Sequence, residues 1–519
     1  MKIILLPLLL GLTLVPADKL QAAQSPEHVT PTLLILEKYR GDKPPPEQQQ
    51  GSLMLQLADV SPLTQAIEAQ LNSPFGRLIR QLDGLAAQIA GNQESCAALQ
   101  GKTLLYLSDE DGGYARQGFW YRPANDEAVF CDALFVDMTV SEQDLQNGSF
   151  LEVFAHEMGH VYLRRLMGPQ PAAPSSRFHN VFAVTDYQTA FDEGFGIYFQ
   201  ALAAVLSRHP GLQARSEGRL AASGADHWFS RLDGQYRLDG VMHNLFAFKT
   251  LPNPDFSGLA AYQQEGISPA VGYQLKNAQA MLSSEGLLAT LFYRLSTAPG
   301  LSALNPDDAD WQENAVKHHT RLFRALAGLS WSNQTNPPYT ALLQVLQSSD
   351  PDFAAAAIGS FLQTTYASPV DPALTSDLQM MIQAGSLGQM QEFLPLYRRT
   401  TEALQVLTDQ IVKGEKSLTG ALGRPIWLLQ PDILIPQAPW SNAQVPLAVN
   451  LNMAGAAELA LLNLFDNRLV TNLLEERTKQ GPFADLAEVQ KRLSLPPSLL
   501  AELERLQQLH RQSGRRHRE

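Results

Sequence analysis

The sequence predicts an α+β chain, predominantly helical, with a small sheet. Apolar residues recur at helical spacing over 53–89, 149–166, 187–206 and most of 275–425. Two short stretches, "KTLLYLSD" and "EAVFCDALFVDMTV", are rich in aliphatic and aromatic residues and read as strands placed just before the helix at 149. With 519 residues, 45% of them hydrophobic, the chain can bury a large core and hold more than one domain.

Taken in order, residues 1–23 read as a secretory signal peptide: Lys2, an apolar run over 3–15, then small residues at Ala22 and Ala23. That run contains Pro7 and Gly11 and falls short of the roughly 20 residues a membrane span needs. No lipid-anchor cysteine follows it and no later segment is apolar enough to cross a bilayer. The expected product is exported, to the periplasm or beyond, with no transmembrane segment after cleavage. Residues 24–90 are expected to begin as a Pro/Gln-rich mobile stretch, "GDKPPPEQQQGS", and to continue as helix. A core over 91–300, a helical extension over 301–425, a Pro-rich linker over 426–446, a helical module over 447–508 and a basic tail over 509–519 complete the division. In an oxidising compartment Cys96 and Cys131 are expected to form a disulfide, contributing about 3 to 4 kcal/mol. A net charge of −13 with 18% charged residues argues against a surface built for nucleic acid.

The chemistry concentrates in "FAHEMGHVYL", residues 154–163. On a helix begun by a capping-box pair, Ser149 and Glu152, His156 and His160 project from one face a turn apart, able to share one tetrahedral ion. Glu157 points to the neighbouring edge, where it can take a proton from a water that the metal acidifies. With 11 histidines in the chain, the chance expectation for this HExxH spacing is about 0.01 matches. A third ligand is available in Glu193 of "TAFDEGFGIYFQ", on the second helix, if the two helices pack antiparallel. Asp192 and Asp186 are candidates to orient a ligand histidine through its second nitrogen. His179, between the two helices, is a candidate to line the site.

An HExxH helix followed by a glutamate in an "EGF" context resembles the gluzincin metallopeptidases, and "FDEGFGIYF" is similar to the "NEGFA-Y" segment of their aminopeptidase-type members. The resemblance covers roughly residues 100 to 300. It implies a zincin-like catalytic domain with a small sheet and two metal helices, one zinc ion on His156, His160 and Glu193, Glu157 as general base, and a peptide or protein substrate. The chain lacks the GxMEN stretch that reads a free amino terminus, which favours an endopeptidase. It also has Ile197 where thermolysin-like members carry the aspartate of E-x-x-x-D. Candidates for the oxyanion-stabilising group that such enzymes use are Tyr293, Tyr236, His227 and His243. The pair His318-His319 reads as surface.

From Val449 the sequence resembles the tandem helix-hairpin-helix module of competence-type DNA receptors, which implies a small all-α domain. In that family Gly-apolar-Gly turns approach DNA phosphates; here those positions are Leu464-Phe465-Asp466 and Leu495-Pro496-Pro497, without glycine. Docking of a protein partner or a purely packing role is therefore expected of the module, ahead of DNA binding. Two competing readings follow: a zinc ion enclosed by a fourth protein ligand such as His179 and purely structural, or an envelope adaptor acting through the C-terminal module.

Overall fold

The structure, a computed structural model, describes residues 30–41, 53–91, 96–123, 127–216, 238, 240–248, 250–251, 266–267, 274–298, 300–302, 304–331, 336–437 and 442–516. The proposed signal peptide, the Pro/Gln-rich run beyond Gly41, His227, Tyr236 and the last three residues of the expected basic tail lie outside these residues.

Five strands close into a barrel: β1 (Thr32–Lys38), β2 (Met54–Leu57), β3 (Lys102–Leu107), β4 (Gly113–Tyr121) and β5 (Val129–Met138), in the order β1-β2-β4-β5-β3. Pairings β1–β2 and β4–β5 are antiparallel, the other three parallel. Alternation along each strand separates two cores. Leu36, Leu55, Leu104, Tyr106, Phe119 and Phe135 fill the barrel, together with Cys96 and Cys131, which are joined by a disulfide. Ile35, Leu105, Leu134, Val136 and Met138 face outward into the main core.

That core is made by helices: α1 (Pro62–Leu71), α2 (Pro74–Ala90), α3 (Glu142–Asn147), α4 (Ser149–Met167), α5 (Tyr187–Leu206), α6 (Pro210–Ser216), a short strand pair β6 (Thr250–Leu251) and β7 (Gly266–Ile267), then α7 (Ala278–Leu282), α8 (Glu285–Thr297), α9 (Trp311–Ala327), α10 (Pro338–Ser349), α11 (Pro351–Thr364), α12 (Pro372–Ser386) and α13 (Met390–Val412). No helix among the described residues is long and apolar enough to cross a membrane.

Several expectations need correction. Residues 24–90 contain β1 and β2, so this region supplies two barrel staves instead of only a flexible and helical lead-in. The pair Ser149 and Glu152 does not cap α4: Gly148, with φ of 83°, stands at its N-cap, and the Ser149 hydroxyl donates to Asp144 Oδ1 at 2.9 Å. The reason is α3, which has its own capping box, Ser141 with Asp144, and ends at Asn147, so that Gly148 alone separates it from α4. His318 and His319 are buried, at 3% and 0% exposure, against different neighbours of α9.

The C-terminal region is also not an all-α module. Where a linker was expected, β8 (Trp427–Pro436) and β9 (Gln444–Asn450) form an antiparallel hairpin. Helices α14 (Ala456–Leu461), α15 (Asn467–Gln480), α16 (Leu486–Leu493) and α17 (Pro497–Arg516) pack with it around a separate core of Leu428, Val449, Leu459, Phe483 and Leu503. A two-stranded ribbon has only edge strands, so Pro436 and Pro446 need no ladder N–H, and Pro431 sits in the register break between Gln430 and Leu434. The expected basic tail is largely the last turns of α17.

Candidate metal centre

Helices α4 and α5 cross where both sequences carry glycine. A Cβ on Gly159 would lie 3.1 Å from the Cα of Gly196, and a Cβ on Gly196 would lie 2.8 to 2.9 Å from three atoms of the His156 ring. Only hydrogen at these two positions lets the backbones approach and leaves room for the imidazole between them. The entry to α5 is fixed by Asp186, whose carboxylate accepts from the backbone N–H of Gln188 at 3.0 Å and of Thr189 at 3.1 Å. Such a cap contributes roughly 1 kcal/mol. Asp186 therefore starts the helix and does not orient a histidine.

The crossing brings His156, His160 and Glu193 to one point. The two Nε2 atoms are 3.1 Å apart, and Glu193 Oε2 lies 3.4 Å from His156 Nε2 and 3.6 Å from His160 Nε2. Bonds of about 2.0 to 2.1 Å from zinc to nitrogen and oxygen require a tetrahedral edge of about 3.3 Å between ligand atoms. The three measured edges bracket that value, so this donor set fits one tetrahedral ion with a vertex to spare.

The second nitrogens are committed as well. His160 Nδ1–H donates to Asp192 Oδ1 at 2.9 Å, and His156 Nδ1–H donates to Gln200 Oε1 at 2.9 Å. With both Nδ1 atoms donating to oxygen, both Nε2 lone pairs are turned toward Glu193. Three electron-pair donors facing one another at this spacing require positive charge between them. The imbalance is visible in the ionisation of the ligands. Burial pulls the His160 imidazole down, but the Asp192 and Glu193 carboxylates outweigh it and hold it well above its usual range. Burial pushes Glu193 up, but His179 and His160 outweigh it and hold the carboxyl well below its usual range.

Glu157 is 7% exposed and lies under the first residue of β4. A Cβ on Gly113 would sit 3.1 Å from Glu157 Oε1 and 2.6 Å from Val153 Cγ1, so a glycine here lets the strand run close over the α4 carboxylate. This contact links the barrel to the motif helix.

His179 reaches Glu193 from the loop at 168–186, with Nδ1 3.4 Å from Oε2 and its side chain 55% exposed. It does not join His156 and His160 in one ligand set; it groups with Glu193 and Glu285, three donors within 4.8 Å of one another. The loop that carries it is anchored from outside. Arg177 makes a two-pronged ion pair with Glu458 of α14, both side chains under a tenth exposed, and its Nε is 2.8 Å from Oε1. The Ser176 hydroxyl accepts from the Ala448 N–H of β9 at 2.8 Å, and His510 of α17, stacked on Trp427, donates to the Pro174 carbonyl at 3.1 Å. The C-terminal hairpin and helices therefore seat on the loop between the two metal helices.

Of the oxyanion candidates, Tyr293 is buried in α8 with Thr297 as its hydrogen-bonding neighbour, and His243 is exposed in a turn before the short helix at 245–247. Neither is brought to the trio. Sequence reasoning missed Gln200, Gly113 and Glu285. Gln200 had a readable signal, being a lone amide in the apolar run "FQALAAVL" at two helical turns from Glu193; Gly113 and Glu285 are brought in only by tertiary packing. Comparison with protein-family models, with curated proteins and with solved structures gives no match.

Proposed function

We propose that the chain is an exported, zinc-dependent metallopeptidase, with endopeptidase action favoured by the missing reader of a free amino terminus. The observation that carries this reading is the convergence of His156, His160 and Glu193 at tetrahedral-edge distances, with the neighbouring carboxylate Glu157 outside the ligand set. When bound, zinc would supply Lewis acidity, lowering the pKa of water toward ~7 and polarising a peptide carbonyl. His156, His160 and Glu193 would hold the ion, and Asp192 and Gln200 keep both imidazoles in the ligating tautomer. Glu157 would accept a proton from the attacking water and return it to the departing amine nitrogen.

The test is zinc content and peptide hydrolysis measured together on the purified full chain. Glu157→Gln should keep about one zinc per trio and lower kcat by roughly 10² to 10⁴. Full activity in that variant overturns the mechanism, and a chain that takes up no zinc overturns the site. Zinc uptake with no hydrolysis of any peptide would favour the alternative, a zinc-binding envelope scaffold acting on a protein partner through its C-terminal region.

A further inference from the structure

Glu193 belongs to two ligand groups at once. One is the trio with His156 and His160; the other is His179, Glu193 and Glu285, again within 4.8 Å of one another. The second group comes together for reasons built into the backbone. The loop bearing His179 is laced to the start of α8 by an antiparallel bridge, Val184 to Ser284, and by Thr185 N–H to Ser283 O at 2.8 Å, Glu285 N–H to Ala183 O at 3.2 Å and Gly286 N–H to Val181 O at 3.0 Å. On the other side, α5 touches α8 one residue from Glu193, where a Cβ on Gly194 would lie 2.9 Å from the Glu285 carbonyl oxygen.

Charge argues in the same direction. Glu285 is 0% exposed and Glu157 7%, and the Glu193 side chain is 14% exposed. A buried ammonium at this end of α8, Lys276, donates to Ser284 Oγ at 2.9 Å and to the Phe246 carbonyl at 2.7 Å. Carboxylates gathered in a poorly solvated region are stabilised by positive charge placed among them. His179 Nδ1 stands from Glu193 Oε2 at 3.4 Å, again the edge of a tetrahedron around an ion of zinc size. The His179 side chain is 55% exposed, so this position is open to solvent.

We propose that His179, Glu193 and Glu285 form a second divalent-cation position that shares the Glu193 carboxylate with the His156–His160 position, so that the full chain carries a carboxylate-bridged metal pair. Two ions sharing a carboxylate stand about 3.5 to 4 Å apart, and such pairs hold both ends of a displacement reaction. The proposal rests on the first trio being a metal position, and stoichiometry separates the two.

The experiment strips the full-length protein of metal, titrates it with zinc or cobalt(II) and counts bound ions by native mass spectrometry and elemental analysis. Two ions per chain are expected at saturation, with the cobalt form showing magnetic coupling on addition of the second equivalent. Glu285→Gln and His179→Ala should each retain one ion and lose the coupling. His179 is exposed, so its variant reports on binding even where the buried Glu285 variant fails to fold. One ion per chain in the unaltered protein, or two ions surviving in His179→Ala, overturns the pair and leaves the first site standing. No ion at all overturns both.

Discussion

Two pairs of histidines, one on α4 and one on α9, behave in opposite ways. His156 and His160 face Gly196 and Glu193 of α5; on α9, His319 faces the aromatic side of the same helix, while His318 turns to Ser302 and Phe353. His319 Nδ1–H donates to the Ala315 carbonyl at 2.7 Å, its Nε2 takes the Tyr198 hydroxyl at 3.0 Å, and its ring lies on Phe199. Burial among these neutral groups pulls His319 down to about 4 and His318 well below its usual range, the latter helped by His319 and Arg321. In the other pair, His160 is equally buried but stands between two carboxylates. The difference teaches that burial alone makes a histidine a neutral core residue; carboxylates on the second nitrogen and at the lone pair make it a candidate ligand.

The comparison breaks most sharply at the ligands themselves. His156→Ala should abolish zinc uptake at the first trio and all hydrolysis, checked by elemental analysis and turnover. Because binding to the folded chain alone stabilises it, adding zinc at 1,000 times Kd should raise stability by about 4 kcal/mol in the unaltered protein and not through this site in the variant, checked by thermal unfolding with and without chelator.

Next comes pH. A histidine with a folded pKa of about 4 against an ordinary 6.5 binds fewer protons folded than unfolded between those values. Stability is therefore intact above pH 6.5, is lost as pH falls toward 4 and levels off below. For His319 the loss is about 3 kcal/mol. Denaturant midpoints at pH 7 and 4.5 should differ by visibly less in His319→Gln. An equal pH response in that variant would mean the pair is not the neutral core element described.

A smaller effect separates orientation from ligation. Asp192→Asn should weaken zinc binding by roughly 10- to 100-fold while Glu157 chemistry survives at saturating zinc. Gln200→Leu removes a neutral acceptor instead of a charged one, and its effect on zinc affinity should be smaller than that of Asp192→Asn. Competition with a zinc-chelating dye measures both, and a larger effect from Gln200 would reverse the assignment of the stronger partner.

What was legible in the sequence was whatever chemistry constrains by identity and spacing. His156, Glu157, His160 and Glu193 can be read because a metal site tolerates few residue types, and the bounds of α5 because Asp186 caps it. Strands β3 and β5 were readable as apolar runs. Strands β1, β2 and β4 were not, because β1 and β2 find their partners far along the chain and the register of β4 shifts beside Gly118, where alternation fails. The hairpin β8–β9 was masked by prolines that only an edge strand tolerates. His318 and His319 misled for a different reason. Adjacent residues on a helix point in different directions, and both are buried only because α9 is enclosed on more than one side.

The ion pair from Arg177 to Glu458 and the bond from Ser176 to Ala448 span 281 and 272 positions of sequence. A polypeptide is made from one end, so the loop can be laced to the start of α8 about a hundred positions after it is made, while its outer contacts with β9 and α14 wait for the rest of the chain. The order of synthesis thus separates the assembly of the site from its bracing: a product cut short between α8 and β9 would carry the His156, His160 and Glu193 trio with the loop at 168–186 laced on one side only.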